Sequence, residues 1–360
     1  MSSHKKIHNF SAGPAILPPE VLEQAAESIR EFDGMGLSLL EISHRSKNFE
    51  RVMDEARQLV AELTGLGNEY DYLFLQGGAS LQFYQVPLNL LRAGGKAGYV
   101  LTGEWALRAY KEAGLVGETQ VVASSEDAHF SYIPKHFEVP KDLDYLHITS
   151  NNTIFGTQYH SYPDVHVPLV CDMSSDIFSR PVDFSKFTLI YAGAQKNIGP
   201  AGVTLVIVRR DAVGKSGRKL PTLLDYQTHI QHGSMYNTPP VFAVYVTLLT
   251  LRWIKTHGGL AGMEQRNRAK QDLFYTALDA CPIFEGTARR EDRSWMNATF
   301  RLCRPELQEA FEQLQKEAGI SQLKGHRSVG GYRASMYNAL PLESVKALTD
   351  IMYHLNQSYA

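Results

Sequence analysis

Cysteine is scarce: Cys171, Cys281 and Cys303 are the three in 360 residues, odd in number, far apart and in no CxxC arrangement. Such a set builds neither a disulfide framework nor a zinc site, and it fits a reducing, cytoplasmic compartment. A metal is accordingly not expected. Long apolar runs are missing as well. The N-terminal MSSHKKIHNF has no hydrophobic core of the kind a secretory signal needs. The longest apolar stretch, VFAVYVTLLTL at 241–251, is shorter than the ~20 residues of a bilayer-spanning helix and reads as a buried helix. With nothing to mark the chain for secretion, the sequons Asn151-Asn152-Thr153 and Asn297-Ala298-Thr299 read as chance matches. Neither sign of charge dominates, since 36 basic and 38 acidic residues leave a net −2. Nothing in that balance suggests nucleic-acid or anionic-membrane binding, both of which depend on concentrated positive charge. Internal repeats and low-complexity segments are also absent. Small molecules and copies of the chain itself remain as the expected partners.

What is present is ordinary globular material, 44% hydrophobic and 21% charged, in a chain long enough for two domains. Seven short runs rich in β-branched and aromatic residues read as strands: 72–76, 97–102, 119–124, 145–150, 167–173, 187–193 and 202–210. Helical patterns lie between several of them, as at Leu81–Leu91 and Glu104–Ala113. This order predicts an α/β fold, a largely parallel sheet with helices on both faces. Ligands of such sheets bind beyond the carboxyl ends of the strands. After Gly258-Gly259 the texture changes to a long amphipathic helix, a strand at 295–302 and two more helices. A smaller α+β domain is expected from about 262 to 360.

The strand ends are therefore where chemistry is sought. The first run ends in Gln76-Gly77-Gly78-Ala79-Ser80. Two glycines permit a sharp turn, and a helix opening at Ala79 or Ser80 offers free N–H groups to a phosphate. The same residues also suit a plain strand–helix turn, and they match neither GxGxxG nor a P-loop. Lys215 in GKS (214–216) lacks the preceding glycine of that loop and reads as solvated. Asp172 ends the buried run VPLVC, where a carboxylate needs a partner unless it caps a helix. Lys196 follows the next run, in AGAQKNIGPAG (192–202), with no acid nearby and small residues around it. A lysine desolvated there has a lowered pKa and a free amine, the condition for Schiff-base chemistry with an aldehyde. Phosphate on a helix end, carboxylate on a ring nitrogen and lysine on an aldehyde together describe pyridoxal 5'-phosphate. Trp105, in GEW at another strand end, suits stacking on such a ring, although it would equally serve as a core tryptophan.

Motifs from end to end carry a resemblance: NFSAGPA (9–15), SHRS (43–46), QGGASLQF (76–83), GEW (103–105), SNNTIFGTQY (150–159), DMSSD (172–176), AGAQKNIGPAG, NTPP (237–240) and GHRSVGGYRASMYN (325–338). In them the chain resembles the class V pyridoxal-phosphate-dependent aminotransferases of fold type I, specifically those acting on a phosphorylated substrate. The resemblance implies a large domain at 16–261 with a mostly parallel seven-stranded sheet. It implies a small α+β domain made of 1–15 and 262–360. Lys196 is then the Schiff-base lysine, Asp172 pairs with the pyridine nitrogen, Trp105 stacks on the ring and Thr153 bonds near its phenolic oxygen. Ala79, Ser80 and Gln195 hold the phosphate, joined by Asn237 and Thr238 of a second subunit, so a homodimer is implied. By itself NTPP reads as a turn before a helix, with proline at the first helical position.

The substrate residues also make chemical sense. Two His–Arg pairs, His44-Arg45 and His326-Arg327, offer several donors each to a phosphate, and arginine suits bidentate oxyanion contacts. By resemblance the first pair crosses the dimer interface and the second sits in the small domain. Arg333 corresponds to the clamp on the amino acid's α-carboxylate, on a loop that Gly330 and Gly331 allow to bend. The implied reaction is a reversible ping-pong transamination, a step of serine biosynthesis. It converts 3-phosphohydroxypyruvate and L-glutamate to O-phospho-L-serine and 2-oxoglutarate. An alanine–glyoxylate type transaminase would not need two His–Arg pairs, and a desulfurase would need a reactive loop cysteine. A non-catalytic phosphate- or nucleotide-binding module is the reading from a different class.

Overall fold

The computed structural model describes residues 7–359, so positions 1–6 of the expected 1–15 segment lie outside the described residues. A short strand β1 (His8–Asn9) is followed by helices α1 (Pro19–Arg30) and α2 (Lys47–Thr64). Helix α2 opens on Ser46, whose side chain accepts from Phe49 N, and closes on Gly65 at φ 69°. Both are favoured caps for helix ends. Then come β2 (Tyr70–Leu75), α3 (Gly78–Leu90), β3 (Lys96–Leu101), α4 (Glu104–Gly114), β4 (Glu118–Ser124) and β5 (Leu143–Thr149). A small hairpin, β6 (Asn151–Asn152) and β7 (Thr157–Gln158), precedes β8 (Leu169–Asp172), β9 (Leu189–Gly193) and β10 (Thr204–Arg209). All seven expected strands are present, shifted by a residue or two at their ends.

These seven form one sheet in the order β2-β10-β9-β8-β5-β3-β4. Every residue of β8 and β9 is buried, as helices on both faces require of central strands. Strand β10 alone runs against its neighbours β2 and β9. The reason is the link from β9 to β10, residues 194–203, which is ten long (203 − 193). A parallel crossover needs a dozen or more residues, whereas so short a link can only double back. Lys196 therefore stands in a hairpin connection. The carboxyl ends of β2, β3, β5, β8 and β9 consequently share one edge of the sheet.

One sheet face carries a core with α2 and the buried α6 (Val241–Thr256), and the other a core with α3, α4 and the short α5 (Tyr226–Gln231). Helix α6 begins at Val241 with Pro240 as its N-cap, one position later than the expected proline-first start, because both prolines remain in the turn before it. A third core joins α7 (Gly259–Ala280), β11 (Phe284–Gly286), β12 (Asn297–Leu302), α8 (Gln308–Ala318), β13 (Ile320–Ser321), β14 (Tyr332–Ser335) and α9 (Leu342–Tyr359). Strands β11, β12 and β14 make an antiparallel sheet. Strand β1 pairs in parallel with β13, which ties the start of the described chain to this C-terminal core. Among the described residues no helix is long and apolar enough to cross a membrane. Asn151 and Asn297, the two sequon asparagines, are buried and hydrogen-bonded to each other.

Candidate active site

Lys196 is half-buried in the β9–β10 link, and its Nζ lies 5.6 Å from the centre of the Trp105 ring. No hydrogen bond or ion pair holds this amine among the described residues. Burial pushes its pKa below the ordinary lysine value, and the positive charge of Arg333 works in the same direction against the attraction of Asp172. The space around it is made by small residues, as the sequence suggests. A side chain at Gly13 would begin 3.3 Å from Lys196 Cγ, a tight contact, at a backbone φ of 140° that favours glycine, so the lack of a Cβ there lets the 12–15 segment lie directly on the lysine. Ala15 N fixes that segment by donating to Gln195 O at 2.8 Å.

Asp172 ends β8, next to β9 in the sheet and buried. Its Oδ1 accepts from Ser174 N at 2.9 Å and from Ser174 Oγ at 2.6 Å. Burial raises its pKa, while Lys196, Ser174 and the Tyr191 hydroxyl favour its charged form. It thus shapes its own turn and caps no helix. Trp105, at the start of α4, is half-buried, unlike a core tryptophan, and its Nε1 donates to Thr153 Oγ1 at 3.0 Å. Thr153 also ties in the C-terminal sheet, since its carbonyl accepts from Arg333 Nη1 at 2.9 Å. Arg333 is half-buried with no carboxylate paired to it among the described residues, and burial lowers its pKa. Lys196, Asp172, Trp105, Thr153 and Arg333 are thereby brought together from five separate stretches of chain.

The turn after β2 opens α3 at Gly78, a residue earlier than expected. Gly77 has φ 92° and Gly78 φ 68°, values that favour glycine. No side chain caps this helix, so the amides of its first turn, Ala79 and Ser80 among them, remain free to meet an anion. Asn237 lines a cavity of about 370 Å³ with Gln76, Gly77 and Leu81, and Thr238 O accepts from Gln76 Nε2 at 2.8 Å. His326 and the 328–331 loop line another cavity of about 500 Å³ with Phe155 and Thr299. Arg333, Arg327 and Arg108 lie close enough to lower the His326 pKa, after burial as the main cause. His44 and Arg45 stand apart: among the described residues no hydrogen bond, ion pair or ring contact links them to Lys196. Arg45 is exposed, and His44 Nε2 is buried without a hydrogen-bond partner.

Sequence reasoning missed several residues here. Ser174 positions Asp172, and Asn197 Oδ1 accepts from Asn338 N at 3.0 Å beside the lysine. Tyr337 Oη donates to Ala12 O at 2.8 Å, holding the segment that covers Lys196. Ser174 and Asn197 lie inside quoted motifs, so their proximity to Asp172 and Lys196 was available as a signal. Tyr337 also lies inside a quoted motif, but nothing local names its partner, which is 325 positions away.

A half-buried amine without a partner, an adjacent carboxylate, an aromatic wall and an uncapped helix N-terminus fit pyridoxal phosphate in each of its functional groups. The chain belongs to the aminotransferase class-V family, whose profile matches residues 7–348. It is a pyridoxal-phosphate-dependent transaminase of fold type I, acting on amino-acid and keto-acid substrates. The phosphoserine aminotransferase of Flavobacterium johnsoniae is 61% identical over 96% of this chain and 98% of its own length. That of Flavobacterium psychrophilum is 60% identical over 97% and 99%. The solved phosphoserine aminotransferase of Bacillus circulans subsp. alkalophilus superposes with a TM-score of 0.95 at 48% identity, covering 99% of both chains.

Proposed function

We propose that this chain is the transaminase that interconverts O-phospho-L-serine and 3-phosphohydroxypyruvate, with the L-glutamate/2-oxoglutarate couple as the other half-reaction, in serine biosynthesis. The observation that carries the reading is the partnerless Lys196 amine, set between Asp172 and Trp105 with the unpaired Arg333 close by. The similarity to phosphoserine aminotransferases over nearly the full chain supports the substrate. When bound, pyridoxal phosphate supplies an aldehyde for amine exchange and a ring that withdraws electrons from the amino acid's Cα. Lys196 would hold it, with Asp172 at the ring nitrogen, Trp105 against the ring face, Thr153 at its edge, and Ala79, Ser80 and Gln195 at the phosphate.

Lys196 Nζ, poorly solvated and free, takes the proton from the substrate Cα. Arg333 binds the α-carboxylate, and this contact fixes the direction of the Cα–H bond toward Nζ. His326 and Arg327 bind the substrate phosphate, a remote contact that orients the reacting end. His44 and Arg45, with Asn237 and Thr238, complete the site of a second copy in a homodimer. Leu37 and Leu40, exposed at 45% and 60%, precede that His–Arg pair and support a surface covered by another copy. We further assign the domains to 16–261 and to 1–15 with 262–360, and the location to the cytoplasm, in keeping with three unpaired cysteines.

The decisive experiment compares half-reactions of the holoenzyme with phosphoserine, serine, alanine and glutamate. Phosphoserine and glutamate should turn over fast, and serine and alanine slowly. Arg45→Ala and Arg327→Ala should each slow the phosphoserine half-reaction about ten- to hundredfold, the weight of a charge-assisted contact, and spare glutamate. Equal losses for both amino acids would remove these arginines from the phosphate site. Rapid turnover of alanine with no preference for phosphoserine would favour the alanine–glyoxylate type instead.

A further inference from the structure

Behind Asp172, on the sheet face covered by α3 and α4, lies a set of buried polar groups that the roles above do not use. Register pairs Asp172 with Tyr191 of β9 and with Thr149 of β5. His147 lies two residues before Thr149, so strand alternation puts its side chain on that same face. His147 Nε2 and Tyr191 Oη are 2.8 Å apart. Tyr99 stacks on the imidazole with ring centres 5.0 Å apart, and all three side chains are buried.

The direction of the His147–Tyr191 hydrogen bond follows from what the other ring nitrogen lacks. His147 Nδ1 is buried and has no hydrogen-bond partner among the described residues. A proton on Nδ1 would strand an N–H donor in an apolar setting and leave Nε2 only to accept. With the proton on Nε2, the ring's one donor enters its one hydrogen bond, which is the less costly tautomer. Burial keeps the imidazole neutral by pushing its pKa down to about 3, so there is no second ring proton. Nε2–H therefore donates to Tyr191 Oη, and the phenol's own proton is free for another acceptor. Register sets Tyr191 beside Asp172 on this face, and the tyrosine hydroxyl favours the carboxylate's charged form.

We propose that His147 and Tyr191 are positioning residues, a one-way donor chain from His147 Nε2–H through Tyr191 Oη–H that holds the Asp172 carboxylate charged and aimed at the cofactor's ring nitrogen. This rests on the reading of Asp172 as the partner of that nitrogen. Ser174 grips Asp172 Oδ1 from the loop side, and the tyrosine supplies a restraint from within the sheet. Without it the buried carboxylate is poorer in donors and takes up a proton more readily.

The test measures the dissociation constant for pyridoxal phosphate, from quenching of tryptophan fluorescence, together with the thermal midpoint. Tyr191→Phe removes the donor and keeps the ring. His147→Leu removes it one step back, and His147→Gln keeps an amide N–H near the place of Nε2. Tyr191→Phe and His147→Leu should each weaken binding about tenfold, the weight of one hydrogen bond to a charged group. His147→Gln should restore it, and the double variant should bind no worse than Tyr191→Phe alone, because the chain is broken only once. Asp172→Asn serves as reference. If it weakens binding and Tyr191→Phe does not, the donor chain is refuted while Asp172 keeps its role. If Asp172→Asn leaves binding unchanged, the reading beneath the proposal fails. A lowered thermal midpoint with unchanged cofactor affinity, or equal losses in His147→Gln and His147→Leu, would reduce the histidine to packing.

Discussion

Replacing Arg333 by glutamine should slow the glutamate and phosphoserine half-reactions by the same factor. Its guanidinium is half-buried, spends Nη1 on Thr153 O at 2.9 Å and has no paired carboxylate among the described residues, so the remaining donors stay available. Truncating one side of a buried, hydrogen-bonded charge pair costs about 2–5 kcal/mol. Glutamine keeps one amide donor that can still reach Thr153 O, which preserves the local strand and points to the lower end, about 2–3 kcal/mol. At ~1.4 kcal/mol per factor of ten, kcat/KM should fall about 30- to 150-fold. The assay is single-turnover stopped flow on the holoenzyme, following cofactor absorbance with each amino acid in turn. Both substrates carry the same α-carboxylate, so the two factors should agree. A loss confined to phosphoserine would make Arg333 a phosphate ligand, and no loss at all would remove it from the site.

Lys196→Ala should abolish the visible band of the bound cofactor and lower turnover about a thousandfold or more; a variant that kept the band would refute the lysine's role. A pH test follows from the lowered Lys196 pKa. Between its folded value and the ordinary lysine value the unfolded chain binds more protons, so this amine makes the cofactor-free protein less stable as pH falls through that window. Cofactor-free Lys196→Met should therefore be more stable than the parent at neutral pH, by ~1.4 kcal/mol per unit of depression. The gain should vanish toward the lysine range in urea titrations, and a pH-independent difference would contradict it. Gly156 has φ 74°, and a Cβ there would collide with Thr299 Oγ1 and stand 3.0 Å from Asn297 O. Gly34 has φ 71° but open space around it. Denaturation should show Gly34→Ala costing about 1 kcal/mol and Gly156→Ala about 3 kcal/mol; equal costs would show that backbone conformation alone governs both.

Strand positions were legible because buried strands leave short apolar runs bounded by turn residues. Lys196 and Asp172 were legible because a charge at the end of such a run is chemically conspicuous. The direction of β10 was less so, although the length of the 194–203 link already implied it. Arg333 could be named by resemblance, but its hold on Thr153 joins residues 180 positions apart. His147 and Tyr191 left no trace, since both sit inside runs that read as ordinary strand.

By itself the sequence determined which segments are strands and helices, and which strand ends carry a lysine, a carboxylate and a glycine turn. Local propensity and burial period decide those matters, and both are written residue by residue. Only the tertiary structure decided that Gly13 lies against Lys196, that Arg333 reaches Thr153 and that Tyr191 pairs in register with Asp172. Those relations depend on strand order and sheet register, which are set by how whole faces pack together and which no local pattern encodes.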